Sequence, residues 1–182
     1  HLAAQSSPKL SWESPQQTMI DNYNKTTNLI TALKRLEKEC RLVFVSSSAV
    51  YADNHFTDPI PEDYLTEPSS PYGISKLAAE KFCMLSHKTG DIDVVVVRPF
   101  FVTGVGKVGD VCSDWCRQVA EIELGQRTHF QVGLIEGVSR DLMDASEFSK
   151  ALNLIALKGK NGSIYNISTG KGLKLPNLLK LV

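Results

Sequence analysis

The chain has 182 residues, 20 Lys and Arg balance 20 Asp and Glu, and 42% of its residues are hydrophobic. This composition is typical of a folded globular protein and argues against extended disorder. The zero net charge offers no long-range attraction for nucleic acid or anionic lipid, and no apolar run reaches the roughly 20 residues that span a bilayer. We therefore expect a soluble protein that binds neither nucleic acid nor membranes.

The cysteines and the first residues bear on the compartment. Four cysteines are too few for a disulfide scaffold, and the first ten residues lack the zones of a signal peptide, so a cytoplasmic location is expected. Cys112 and Cys116 stand four positions apart, but no His or Cys nearby completes a metal-ligand pattern, and no metal site is predicted. The chain begins at His1 rather than Met, and we expect a segment to precede it.

Helices and strands are predicted to alternate from the start of the chain. Apolar positions at helical spacing predict a helix from about Pro15 to Lys38, with Ser14 as its cap. The run LVFVSSS at 42–48 predicts a strand buried on both faces. The polar stretch 49–69 predicts a long loop, which in a compact domain is usually functional.

The alternation continues to the end of the chain. A helix is predicted from Pro71 to Lys88, followed by a buried strand in the run VVVVRPF at 94–100. The remaining predicted elements are a helix at about 111–124, a strand at 129–132 (HFQV), a helix at about 146–157, a strand at 163–168 (SIYNIS) and a helix that starts at 175. Buried strands separated by amphipathic helices predict an α/β fold with a parallel sheet.

A glycine-rich segment, Gly104-Val-Gly106-Lys-Val-Gly109, has the spacing of a dinucleotide-binding loop. Its context argues against that function, because Gly104 lies five positions after the strand-breaking Pro99 and no suitable acidic residue ends a second strand about 20 residues later. We favour a loop that lines a substrate pocket, with a plain turn as a further alternative.

Tyr72 and Lys76 form the main candidate for chemistry. Their spacing places them on one face of the predicted helix, with Tyr72 in its first turn. A neighbouring ammonium and the helix dipole both favour a phenolate and would lower the pKa of a tyrosine toward a useful range for acid/base catalysis. By itself, such a pair also fits an ordinary helix surface.

Polar residues follow the two neighbouring strands. Ser46, Ser47 and Ser48 end the first strand, and Arg98 with Pro99 ends the second. The carboxyl ends of parallel strands meet at one edge of the sheet, where ligands bind in open α/β folds. We therefore expect the serine hydroxyls to lie beside Tyr72.

Six segments resemble, in order, motifs of the extended short-chain dehydrogenase/reductase family, which comprises NAD(P)-dependent epimerases, dehydratases and reductases of nucleotide sugars. They are HLAAQSS, VFVSSSAVY, SPYGISKLAAEKF, VVVRPFFVTGVG, SRDLMDASEFSKAL and IYNISTGKGLKLPNLLKL. HLAAQSS and RQVAEIELG are most similar to the branch of GDP-mannose dehydratases and GDP-4-keto-6-deoxy-mannose reductases. The resemblance implies a Rossmann-like sheet with flanking helices, NAD or NADP as cofactor, a nucleotide-sugar substrate, and a homodimer formed through the helices at Pro15–Lys38 and Pro71–Lys88.

The resemblance also implies roles for individual residues. Tyr72 would be the acid/base, and Lys76 would lower its pKa and bind the cofactor ribose. Ser47 would be the catalytic serine, with its neighbour Ser48 as the alternative. Arg140 would bind the nucleotide diphosphate, a ligand that suits bidentate guanidinium geometry. The implied cofactor-binding residues are Ala3, Ala4, Ser46, Tyr72, Lys76, Pro99, Phe100 and Val102, and the implied substrate-binding residues are Ser48, Phe101 and Arg140.

The chain departs from the family pattern at several positions. Ala49 stands where the dehydratases have a glutamate, Phe101 where relatives have an asparagine, and Ala52 where a glycine is usual. The family's cofactor-binding glycines and first strands lie upstream of the segment at which His1 begins. We therefore expect residues 1–100 to be the later part of the dinucleotide-binding domain, and 101–182 to be mainly substrate-binding with an interleaved return to the sheet.

These features together predict a 4-ketoreductase of a GDP-type 4-keto-6-deoxy sugar, because the dehydratase glutamate is missing. A UDP-sugar 4-epimerase is the alternative within the family. An inert fragment or paralogue that binds a sugar nucleotide or a partner is the alternative of another class.

Overall fold

The computed structural model describes residues 1–36, 40–52, 59–133 and 135–181. The chain forms two compact units, one of His1–Phe100 with Lys150–Ile167 and the other of Phe101–Ser149 with Ser168–Val182. The helices are α1 (Pro8–Glu13), α2 (Pro15–Met19), α3 (Lys25–Lys34), α4 (Pro71–Lys88), α5 (Val111–Glu123), α6 (Ala145–Lys158) and α7 (Leu175–Leu179). The strands are β1 (Arg41–Val45), β2 (Asp93–Pro99), β3 (Phe101–Thr103), β4 (Ser139–Asp144), β5 (Ile164–Ile167) and β6 (Gly172–Lys174).

The first unit contains a parallel sheet in the order β1-β2-β5. The central strand β2 is a run of valines, and Val94–Val97 are fully buried, as expected for a strand covered on both faces. The amino group of His1 donates to the Val43 carbonyl at 2.8 Å, and the Val45 N–H donates to the His1 carbonyl at 3.3 Å. The main chain of His1 thus continues the sheet along the outer edge of β1.

Helices α3 and α4 cover this sheet. Ile30 of α3 and Ala79 and Cys83 of α4 share one buried cluster with Phe44 of β1 and Val96 of β2. Parallel strands with helices packed on them confirm the predicted α/β, Rossmann-like fold.

The second unit is smaller. Its β3 pairs with β4 in parallel, and β4 pairs with β6 antiparallel. Asp110 caps α5 through a reciprocal pair of hydrogen bonds with Ser113, and the buried face of α5 carries Trp115 and Gln118.

The first predicted helix differs from a regular one. It starts at Pro15 as predicted, but Ile20–Asn24 form a π-helical turn between α2 and α3, and α3 ends at Lys34. The predicted end near Lys38 falls next to residues 37–39, which lie outside the described residues, as do 53–58 of the predicted loop. Within that loop, Ser48–Val50 form one turn of 3₁₀ helix.

The strand predicted at HFQV is wrong. The Gln118 side chain accepts from the Gln131 N–H at 2.8 Å and donates to its carbonyl at 3.1 Å, so a side chain takes the place of a neighbouring strand. The short elements α1, β3, β4 and β6 were not predicted. β4 was missed because its residues do not alternate between buried and exposed positions, and the prediction of a half-buried strand depends on that alternation.

Two kinds of feature are absent from residues 1–36, 40–52, 59–133 and 135–181. No helix there combines the length and the apolarity that crossing a bilayer requires. No three His, Cys, Asp or Glu side chains there come together in the manner of a metal site.

Candidate active site

Tyr72 lies in the first turn of α4, as predicted. The helix begins with Pro71, and the Ser70 hydroxyl caps it by accepting from the Gly73 N–H at 3.1 Å. Tyr72 is 9% exposed, so its phenol is withdrawn from bulk water.

Ser47 reaches Tyr72 from the end of β1. It is the cap of the Ser48–Val50 turn, its Oγ accepts from the Ala49 N–H at 3.1 Å, and its side chain is hydrogen-bonded to Tyr72. Ser48 is the half-buried first residue of that turn. The structure thus brings Ser47 and Tyr72 together.

Gly73 makes this approach possible. A Cβ at position 73 would overlap the Ala49 carbonyl oxygen and lie 2.7 Å from the Pro68 Cβ. The turn that follows Ser47 therefore packs directly against the backbone of α4, at a distance that only glycine permits.

The pKa of Tyr72 lies above the ordinary value. Burial is the larger cause and raises it, while the hydrogen bond with Ser47 lowers it. The direction is opposite to that expected from the Tyr72–Lys76 pair, because the structure directs the Lys76 ammonium elsewhere. A neutral, buried phenol beside a serine hydroxyl suits the donation of a proton.

Lys76 is 4% exposed, and its Nζ donates to the Val45 carbonyl at 2.5 Å. The ammonium also lies 5.0 Å from the centre of the Phe44 ring. Burial lowers the pKa of Lys76 to about 8, against the smaller opposing effects of Cys83 and Glu80. A cation therefore sits at the carboxyl end of β1, one helical turn from Tyr72.

Ser46 carries a buried hydroxyl with no hydrogen-bond partner among the described residues. Its N–H donates to the Val97 carbonyl at 2.8 Å, which fixes its backbone at the edge of the sheet. An orphaned buried hydroxyl is uncommon and marks a place where a ligand group can bind. Ser46 together with Lys76 therefore fits the polar nicotinamide and ribose half of a dinucleotide.

The other predicted cofactor residues of the first unit lie in two segments, one near the start of the chain and one at the end of β2. Ala3 and Ala4 line an open groove of about 360 Å³ with Gln5, Asp21 and Lys25. Pro99 ends β2, and the Phe100 N–H donates to the Ile167 carbonyl of β5 at 2.9 Å.

Asn22 was missed by the sequence reasoning. It is 2% exposed in the π-helical turn, where its side chain accepts from the Gln5 N–H at 2.8 Å and donates to the Gln5 carbonyl at 3.0 Å and to Ser75 Oγ at 2.9 Å. Ser75 in turn donates to the Tyr72 carbonyl at 2.7 Å. Asn22 thus connects the 1–5 segment to the first turn of α4. The sequence signal that could have identified it is an asparagine among the apolar positions of the helix predicted at Pro15–Lys38.

The remaining predicted site residues belong to the second unit. Phe101 and Val102 lie in β3, and Arg140 is an exposed residue of β4 whose guanidinium donates to the Ser139 carbonyl at 2.8 Å. Lys107 lies 5.4 Å from the Phe101 ring centre and donates to the Val102 carbonyl at 2.5 Å. The Gly104 motif forms the loop after β3, with positive φ at all three glycines.

Comparison with known proteins places this geometry in a family. Residues 1–168 match the model of the NAD dependent epimerase/dehydratase family. The chain is 34% identical, over all of its length and 60% of the relative's, to the GDP-6-deoxy-D-mannose reductase of Pseudomonas aeruginosa. It is 29% identical, over all of its length and 58% of the relative's, to a putative UDP-glucose 4-epimerase of Methanocaldococcus jannaschii.

Solved structures agree with this. The structure of RMD from Pseudomonas aeruginosa, complexed with NADPH, superposes with a TM-score of 0.93 at 33% identity, covering all of this chain and 63% of that one. A UDP-N-acetylglucosamine 4-epimerase from Methanobrevibacter ruminantium M1, in complex with UDP-N-acetylmuramic acid, gives 0.85 at 27% identity, with 57% of its chain covered. The chain spans only about 60% of the length of the two curated relatives named above. With a family match over 1–168, the chain belongs to the NAD dependent epimerase/dehydratase family.

Proposed function

We propose that this chain supplies the catalytic and substrate-side portion of a 4-ketoreductase that acts on a GDP-linked 4-keto-6-deoxy sugar. The observation that carries the proposal is the hydrogen bond between the half-buried Ser47 and the buried Tyr72, with the Lys76 ammonium one helical turn away. The identity with a GDP-6-deoxy-D-mannose reductase over the whole chain supports the substrate class.

Tyr72 donates the proton to the carbonyl oxygen of the substrate. Its raised pKa keeps it protonated before reaction, and the Ser47 hydroxyl both holds the phenol and can donate a hydrogen bond to the same oxygen. Ser48 and Phe101, with Arg140 toward the diphosphate, are the proposed substrate contacts.

A nicotinamide cofactor, when bound, supplies the hydride. The orphaned Ser46 hydroxyl and the buried Lys76 ammonium would hold its nicotinamide ribose half, with Ala3, Ala4 and the 99–102 segment beside it. The family match and the NADPH in the Pseudomonas aeruginosa structure support NAD or NADP as the cofactor of this chain. Once Tyr72 has lost its proton, the Ser47 hydroxyl can stabilise the phenolate through the hydrogen bond that lowers the pKa of Tyr72.

Ala49 separates the reductase from the dehydratases of the family. It stands in the turn beside Ser47, where the dehydratases have a glutamate, and its methyl group can neither donate nor remove a proton. Elimination of water is therefore not part of the proposal.

The test uses the protein expressed from its natural gene, mixed with NADPH and GDP-4-keto-6-deoxy-mannose. We expect NADPH to be consumed in proportion to the reduced sugar. A protein that binds NADPH but leaves the keto sugar unchanged would contradict the proposal.

A UDP-sugar 4-epimerase is the second candidate, favoured by the UDP-glucose 4-epimerases among the relatives. Conversion of UDP-glucose to UDP-galactose without net consumption of nicotinamide would support it in place of the reductase. Binding of GDP or UDP sugars with no turnover would instead support an inert binding protein.

The assembly and the location are part of the same proposal. By analogy with the family, we propose a homodimer formed through the helix at α2–α3 and α4, in the cytoplasm. Sedimentation equilibrium tests the dimer, and cell fractionation tests the location.

A further inference from the structure

Among the described residues, Arg98 has the largest of the fully buried side chains, and the proposed reaction assigns it no role. It is 1% exposed at the end of β2. Glu80 of α4, itself fully buried, accepts from Arg98 Nε at 3.0 Å and from Nη2 at 2.5 Å. This two-bond pair fixes helix α4 to the end of the central strand.

The other side of the guanidinium binds the turn that follows Ser47. Arg98 Nη1 donates to the Tyr51 hydroxyl at 2.8 Å and to the Glu62 carbonyl at 2.9 Å, and the guanidinium carbon lies 4.7 Å from the Tyr51 ring centre. Tyr51 closes the 3₁₀ turn, since its N–H donates to the Ser48 carbonyl at 3.1 Å.

The Tyr51 hydroxyl uses both of its hydrogen-bonding functions. It accepts from Arg98 and donates to Asn166 Oδ1 of β5 at 2.7 Å. Asn166 Nδ2 then donates to the Ile60 carbonyl at 2.7 Å, and the Asn166 N–H to Glu62 Oε1 at 2.9 Å. One network, buried at Arg98 and Glu80 and partly exposed at Glu62 and Asn166, thus joins α4, the turn after β1, the 60–62 segment and β5.

The two ends of this network lie on the same two elements as Tyr72 and Ser47. Glu80 stands eight residues, or about two helical turns, after Tyr72 on α4, and Tyr51 ends the turn that Ser47 caps. We propose that Arg98 is a positioning residue that holds the Ser47 and Tyr72 hydroxyls in contact, through Glu80 on one side and Tyr51 on the other. This inference rests on the proposed function of Ser47 and Tyr72, and it adds residues that act only through them.

Replacement of Arg98 would leave Glu80 as an unpaired buried charge and endanger the fold, so the test uses Tyr51→Phe. This variant keeps the ring over the guanidinium and removes only the hydroxyl. The readout is the ¹³Cζ resonance of Tyr72 in protein labelled at tyrosine Cζ, assigned with Tyr72→Phe, because this carbon reports the hydrogen bonding of the phenol.

Ser47→Ala calibrates the measurement by removing the hydrogen bond itself. We expect Tyr51→Phe to shift the Tyr72 resonance in the same direction, by at least about half of the change in Ser47→Ala, since neighbours in one network are coupled. Two controls should leave it in place: Tyr165→Phe, which removes a hydroxyl that accepts from the Lys160 N–H, and Ile30→Val, which weakens the main core. An unshifted Tyr72 resonance in Tyr51→Phe would overturn the inference.

Kinetics provide the second arm. In the active protein, Tyr51→Phe should lower kcat about tenfold and change KM less than about twofold, because misplacement affects the transition state more than binding. Wild-type protein without turnover would refute the proposed function, while the resonance of Tyr72 would still decide the positioning role. An unchanged kcat in Tyr51→Phe would refute the positioning role alone.

Discussion

The two units differ in how their proposed functional residues are held. In the first unit Ser46, Tyr72 and Lys76 are all buried, and their positions are fixed by a strand end and a helix start. In the second unit Arg140 is exposed, and Val105 in the Gly104 loop is fully exposed. The residues proposed for the chemistry therefore belong to a packed interior, whereas Arg140 and the Gly104 loop lie on a surface that can change at little cost to the fold.

The largest expected effect on activity tests the buried side of this comparison. Tyr72→Phe removes the proposed proton donor and should lower turnover by about 10²–10⁴-fold, the usual contribution of a general acid. Steady-state kinetics with NADPH and the keto sugar measure it, and Tyr165→Phe is the matched control. Equal rates for the two variants would exclude Tyr72 as the acid.

The Arg98–Glu80 pair gives the largest expected effect on stability. Glu80→Gln leaves the buried guanidinium without its counter-charge and should lower the free energy of unfolding by about 3–5 kcal/mol. The same change at Glu121, whose ion pairs with Arg117 and Arg127 lie at the surface of the second unit, should have little measurable effect. Urea unfolding measures the free energy of unfolding of both variants. Similar losses in Glu80→Gln and Glu121→Gln would contradict the contrast between the units.

Gly73 tests how closely the Ser47 turn packs on α4. Gly73→Ala forces the new methyl group against the Ala49 carbonyl and should destabilise the protein by about 1–3 kcal/mol. Gly133→Ala is the matched control, because a Cβ there meets nothing within 4 Å. If both variants unfold at the same urea concentration, the turn does not pack as described.

Lys76 gives the smallest effect, and it depends on pH. Its pKa falls from 10.5 to about 8 on folding, so the unfolded chain binds more protons between these values and the stability contributed by Lys76 rises with pH across that window. Lys76→Met should therefore stabilise the protein by about 1–2 kcal/mol near neutral pH, after the loss of the bond to Val45, with the gain fading toward pH 10.5.

Urea unfolding of both proteins near neutral pH and again toward pH 10.5 measures this difference. A constant difference between wild type and Lys76→Met would show that the burial of the ammonium is not its cause.

The parts of the fold with strong periodicity were predictable. The valines of β2 and the limits of α4, set by Pro71 and Gly90, followed from local rules. The strand predicted at HFQV failed because the Gln118 side chain satisfies the Gln131 backbone, an interaction across 13 residues that no local pattern encodes.

The site was predictable only in part, for a similar reason. Tyr72 and the three serines 46–48 followed from their places at a helix start and a strand end, and the family resemblance selected Ser47 among them. The direction of the Lys76 ammonium did not follow, because spacing fixes the helix face and not the acceptor, which is the Val45 carbonyl. Arg98 was predicted to lie at the same sheet edge, but its pairing with Glu80 depends on long-range packing.

The most direct test of the proposed chemistry follows the hydride and asks whether its transfer depends on Tyr72. NADPH deuterated at the transferring position of the nicotinamide is incubated with the protein and GDP-4-keto-6-deoxy-mannose, and the product is analysed by mass spectrometry. We predict a deoxy sugar that carries the deuterium at C4, formed by wild type and Tyr165→Phe about 10²–10⁴-fold faster than by Tyr72→Phe. A product without deuterium at C4, or equal labelling by Tyr72→Phe, would contradict the assignment of Tyr72 as the acid of a ketoreductase.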